Sequence, residues 1–154
     1  MLFRSAWALS VLAPGGTCIV PQPKEDTGLL ANRTLALWPY ADMTDERVRW
    51  DSDYITLKQD AGMEQAFKFG INNTYGAAAY LNGGIAFIKR YEPQADAVYP
   101  DFGVSMEVYT DKRMLELETL SPLLEVQPGD VIEHTEQWEL KQVSVFDSYA
   151  AILA

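Results

Sequence analysis

The chain has 154 residues, 48% of them hydrophobic, which suits one domain with a substantial core and argues against disorder. Its 22 acidic and 12 basic residues leave a net charge of −10, which repels nucleic-acid backbones and anionic membrane surfaces. The single cysteine, Cys18, excludes an internal disulfide, and no apolar run approaches the roughly 18–20 residues of a bilayer-spanning helix.

Residues 1–5, Met-Leu-Phe-Arg-Ser, spell what a common short-read sequencing adapter encodes in one frame. On that reading they are a non-native leader, and any targeting segment ahead of Ala6 is lost; the other reading is a natural start. Residues 6–12 form an apolar run that stops at Pro14-Gly15-Gly16, and residues 17–20 form a second that stops at Pro21 and Pro23: strand, turn, strand. Residues 35–38 and 54–57 read as short strands, separated by a charged, aromatic loop or helical turn. Residues 66–71 and 77–80 follow, then 85–91 after Asn82-Gly83-Gly84, a hairpin signal. The last strands are expected at 104–109, 114–119 and 131–140, and residues 143–154 carry a weak helical pattern. Short strands punctuated by Gly, Pro and Asn predict an all-β antiparallel sandwich in one domain, residues 6–154.

In a strand over 114–119, side chains alternate between faces. Met114, Glu116 and Glu118 share one side, and Leu115, Leu117 and Thr119 the other. The paired carboxylates look either into bulk water or into a ligand cleft. His134 lies in the final predicted strand, flanked by Glu133 and Glu136, which would make it easier to protonate; a proton donor and a hydrogen-bonded edge histidine are both open readings. Trp38, Tyr40, Trp50, Tyr54 and Tyr99 fall near loops that also carry Arg33, Arg47, Arg49 and Asp101. Flat aromatic faces beside convergent polar groups suit a sugar. One His and one Cys far apart give no zinc spacing, no EF-hand loop is present, and the paired glycines read as turns, so neither metal nor cofactor is expected.

The C-terminal third, "EVYTDKRMLELETLSPLLEVQPGDVIEHTEQWEL", resembles the end of galactose mutarotases (aldose 1-epimerases). The matching residues are Glu107-Val108-Tyr109-Thr110, Leu117-Glu118-Thr119, Pro128-Gly129 and His134-Thr135. Through "WALSVLAPGG", "NRTLALWPYADMTDERV", "YPDFGVSMEVYT" and "LELETLSPL", nearly the whole chain resembles a domain-of-unknown-function family of the same mutarotase-like superfamily.

The resemblance implies part of a galactose-mutarotase-like supersandwich, its C-terminal portion, with a concave carbohydrate-binding face. In mutarotases the Glu of Leu-Glu-Thr is the general base, which carries to Glu118, and Glu107 stands where a sugar-contacting Gln usually does. Arg33, Trp38, Tyr40, Arg47, Tyr99 and Asp101 are the remaining candidates for sugar contact. The family's acid sits in an Asn-His-aromatic motif that this sequence lacks, and His134 does not match it. The expected function is carbohydrate binding, epimerase-like in the intact protein. The alternative is a non-catalytic accessory or structural sandwich module of a carbohydrate-active protein.

Overall fold

A computed structural model describes residues 2–144 and 146–154. Among the described residues there are thirteen strands: β1 (Leu2–Arg4), β2 (Trp7–Leu12), β3 (Thr17–Pro21), β4 (Leu35–Leu37), β5 (Val48–Trp50), β6 (Tyr54–Lys58), β7 (Phe67–Ile71), β8 (Ala77–Asn82), β9 (Ile85–Tyr91), β10 (Met106–Thr110), β11 (Leu115–Leu120), β12 (Leu124–Val126) and β13 (Glu136–Gln142). The same residues hold two short helical segments, α1 (Pro100–Gly103) and α2 (Tyr149–Leu153). The strands form a five-stranded sheet, β2-β11-β10-β7-β4, a six-stranded sheet, β13-β9-β8-β3-β6-β5, and a small β1-β12 pair. All pairings are antiparallel, and the two large sheets pack face to face as a β-sandwich.

Period-two alternation decides which side chains enter the core. Phe67 and Phe69 of β7, Met106 and Val108 of β10, and Leu115 and Leu117 of β11 meet Cys18, Val20, Ile55 and Leu57 of the opposing sheet. Each large apolar side chain buried there contributes roughly 1.5–3 kcal/mol. The outer face of the six-stranded sheet carries the other half of the alternation, Ile19, Ala77, Ala79, Ala86 and Ile88, and α2 covers it with Ile152 and Leu153. β8 and β9 are joined by Gly83-Gly84 alone, at φ 57° and 79°, the doubly left-handed backbone that a two-residue hairpin needs and glycine supplies without strain.

A charged side chain crosses the sandwich. Lys89 of β9 is fully buried, and its Nζ donates to Ala8 O (2.8 Å), Ser10 Oγ (3.1 Å) and Leu117 O (3.0 Å) while pairing with Glu136 Oε1 (2.8 Å). It thereby ties β2 and β11 of one sheet to β9 and β13 of the other.

Several boundaries differ from the sequence expectation. The final strand starts at Glu136, not at 131, because only from there does the chain run beside β9. The stretch expected as a loop or helical turn holds β5, an edge strand fixed by pairing with β6. β12 was not foreseen, and the residues read as a leader supply its partner, β1. The helix at the C-terminus is confined to α2; Val145, within the expected helical stretch, lies outside the described residues.

Candidate functional site

The face of the five-stranded sheet turned away from the core is where the outward residues of β7, β10 and β11 converge. Glu107 is directly opposite Glu118 on one side and Gly70 on the other, and Lys68 is opposite Tyr109. A Cβ on Gly70 would stand 2.6 Å from Val104 Cγ1 and 3.3 Å from Glu107 Cγ, so glycine leaves the room that Glu107 occupies.

Lys68 Nζ lies 2.7 Å from Glu107 Oε2 and 2.9 Å from Glu118 Oε2. It is also over two indoles, 5.3 Å from the ring centroid of Trp7 and 4.7 Å from that of Trp38. Trp7 Nε1 donates to the same Glu118 Oε2 at 2.7 Å. One ammonium thus joins two carboxylates and two aromatic faces, each contact stronger for being desolvated. Glu118 is 0% exposed and Glu107 2%, whereas Trp7, which seals Glu118, is itself 57% exposed. Glu107 Oε1 and Glu118 Oε1 are buried without a hydrogen-bond donor among the described residues.

Above this cluster is a groove of about 380 Å³ lined by Arg4, Trp7, Trp38, Lys68, Asp101 and Glu107, among others. A smaller recess of about 170 Å³ continues past Trp38 to Asp101 and Phe102. Both of those α1 residues have left-handed backbone, at φ 49° and 67°, uncommon for non-glycine residues.

The cluster's electrostatics follow from burial and from its two signs of charge. Burial pushes Glu107 up to about 7; Lys68 opposes the rise, and the nearby carboxyls of Glu118 and Asp101 reinforce it. Burial alone would lower Lys68, but its bonds to Glu107 and Glu118 outweigh this and hold it above the ordinary lysine value. Burial also raises Tyr40, whose phenol feels the charges of Lys68, Glu118 and Glu107. No group of three or more His, Cys, Asp or Glu among the described residues is arranged to hold a metal, and the Lys68 ammonium takes the place between the carboxylates that a cation would fill.

Of the residues singled out in the sequence, Glu107, Glu118, Trp38 and Asp101 come together here, with Tyr40 beside them. Arg47 does not: it is buried and forked onto Asp45 (3.0 and 2.7 Å) and the Gln65 carbonyl (2.7 Å), where it braces the loop before β5. Arg33 is exposed ahead of β4 and lines none of this groove. Tyr99 accepts a hydrogen bond from Gln94 N (2.9 Å) and lines a separate cavity with Asn73, Pro93 and Ser105.

His134 corrects an expectation. Instead of being easier to protonate, it is held below the usual histidine value, because burial outweighs the raising effect of Glu136, and Lys89 lowers it further. Its Nε2 is 2.8 Å from Thr119 Oγ1, on the core-facing side of β11 and away from the groove.

Two central residues, Lys68 and Trp7, were missed. The only sequence signal for Lys68 was its position between Phe67 and Phe69, which points it to the opposite face from two core aromatics. No protein-family model matches this chain, and no curated protein or solved structure is significantly similar to it.

Proposed function

We propose that this β-sandwich binds a carbohydrate in the groove between Trp7 and Trp38, with Asp101 and the rim of Glu107 meeting sugar hydroxyls. The observation that carries the reading is Trp7. A largely exposed indole is held in one orientation by a buried carboxylate, which presents a flat apolar face at little entropic cost on binding. Trp38 offers a second face on the far side of Lys68, and acceptors lie between the two.

Glu118 acts in this reading as a positioning residue that fixes Trp7 and Lys68. The epimerase-like version, with Glu118 as general base, needs a path from the sugar to a carboxylate that is sealed, so both Trp7 and Lys68 would have to move aside. Binding without catalysis is therefore favoured.

The test is a titration with D-galactose, D-glucose, D-mannose and D-xylose, followed by the Trp7 indole N–H resonance. Millimolar saturable shifts are expected, weakened about tenfold by Trp38→Ala. Absence of any saturable shift up to about 100 mM, far above a millimolar Kd, would refute carbohydrate binding.

A further inference from the structure

The cluster beneath the groove is one positive charge short. Lys68 Nζ is shared by Glu107 Oε2 (2.7 Å) and Glu118 Oε2 (2.9 Å), so a single ammonium answers two carboxylates. The other oxygen of each, Oε1, is buried with no hydrogen-bond donor among the described residues. Of the two carboxylates, Glu107 belongs to the groove's lining, whereas Glu118 is sealed below Trp7. A buried acceptor without a donor carries its desolvation cost until one arrives, and a charged donor recovers the most.

The charged side chains lining the groove are, among the described residues, Arg4 from β1, Lys68 from β7, Asp101 from α1 and Glu107 from β10. With Glu118 beneath them, three carboxylates face two cations. Arg4 is exposed and its guanidinium is bonded to the Phe3 carbonyl (3.0 Å), so it leaves the Glu107 oxygen unanswered. The indoles favour positive charge as well, since each presents the negative face of its ring quadrupole. Trp7 and Trp38 already hold one ammonium this way, that of Lys68, at 5.3 and 4.7 Å from their centroids. Lys68 is thus an internal example of the group this environment accepts.

We infer that the ligand of the groove is a cationic amino sugar, its pyranose face on an indole and its ammonium donating to Glu107 Oε1 and the Asp101 carboxylate. The inference rests on the carbohydrate reading for the ring, and on the orphaned oxygen for the charge. A neutral hydroxyl can donate to that oxygen too, but only an ammonium also balances the third carboxylate. Lys68 stays bonded to both Oε2 atoms and repels the newcomer, an opposition that three carboxylates outweigh. Because Glu107 is only 2% exposed, the ammonium reaches it by displacing exposed side chains of the groove, of which Asp101 is one.

The experiment titrates the protein with D-glucosamine, D-glucose, N-acetyl-D-glucosamine and ethanolamine, followed by the Trp7 indole N–H resonance. At about pH 7.3 an amine in the α-amino range, about 7.7–8.0, is mostly charged, and Glu107, pushed up to about 7, is mostly ionised. Glu107→Gln and Asp101→Asn are compared with the native sequence. Asp101 is exposed, so its variant keeps the buried cluster intact should Glu107→Gln fail to fold.

Glucosamine is expected to bind about tenfold more tightly than glucose or N-acetylglucosamine, a preference that falls to near one in Glu107→Gln and severalfold in Asp101→Asn. Equal affinities for glucosamine and glucose overturn the cationic ligand and leave the carbohydrate reading standing. N-acetylglucosamine binding as tightly as glucosamine overturns the role of charge. A preference unchanged in the variants overturns its assignment to these carboxylates. Ethanolamine binding as tightly as glucosamine supports the ammonium site and refutes the carbohydrate reading, and no binding by any of the four overturns both.

Discussion

Replacing Lys68 by Met removes the one cation shared by two carboxylates that are 0% and 2% exposed. Breaking a buried ion pair from one side costs about 3–5 kcal/mol, because the remaining charge keeps its desolvation penalty. Glu118 retains its bond from Trp7 Nε1, while Glu107 has no other donor among the described residues, so most of the loss falls on Glu107. Since Glu107 already sits near 7, it can escape by taking up a proton. Losing Lys68 also removes what holds Glu107 down, so the cost is expected to be larger at pH 8 than at pH 5.5. Urea denaturation followed by tryptophan fluorescence measures it: with a slope of about 2 kcal/mol/M, a 4 kcal/mol loss moves the midpoint by roughly 2 M. The combined Lys68→Met, Glu107→Gln and Glu118→Gln variant should recover most of the stability, since it leaves no buried charge. A Lys68→Met loss below about 1 kcal/mol at pH 8, the range of an exposed pair, would refute the buried-cluster reasoning. So would an equal loss at both pH values.

Three further outcomes are expected. Trp7→Phe keeps an aromatic ring, though a smaller one, but deletes the donor to a charged, buried acceptor, and should cost about 1.5–3 kcal/mol by the same denaturation assay. Lys89→Met should cost about 3–5 kcal/mol and reduce hydrogen-exchange protection in β13, whose Glu136 loses its cation and keeps only the donors Thr119 Oγ1 and Trp138 Nε1. In native protein, Glu107 and His134 act oppositely with pH. The fold binds a proton at Glu107 more tightly than the unfolded chain does, so that contribution is greatest below 4.5 and is lost as pH rises through about 7. Discounted for screening at the groove, it amounts to about 1–3 kcal/mol. His134 is favoured neutral, so its contribution is lost as pH falls below the ordinary value of 6.5. Stability profiles of Glu107→Gln and His134→Gln should each lose one of these limbs.

The strand pattern was legible because alternation and turn residues are local properties: β2, β3, β6 to β11 and the Gly83-Gly84 turn follow from them directly. The facing of Glu118 away from Leu115 and Leu117 was legible for the same reason, but its covering was not. Whether a carboxylate meets water depends on Trp7, more than 100 positions away and brought alongside by the pairing of β2 with β11. Edge strands such as β5 and β12 escaped because three residues carry almost no periodic signal and are fixed by their partners. Charge neighbours in sequence misled at His134, where burial and Lys89, both tertiary, outweigh the effect of Glu136. Arg47 looked available in a polar loop, yet Asp45, only two residues before it, engages its guanidinium.

The pairing of β2 with β11 also sets a schedule. Its register, Trp7 with Leu120 and Leu12 with Leu115, joins segments on the order of 100 residues apart, and closing so long a loop is slow even though its entropy grows only logarithmically. During synthesis at about 5–20 residues per second, β2 waits roughly 5–20 s for its partner to be made. Throughout that wait Trp7, Leu9 and Val11, on alternate positions of an unpaired strand, form an apolar stripe open to any other strand edge. The indole that the finished fold displays over its groove is, in the nascent chain, part of the segment in greatest need of protection from its neighbours.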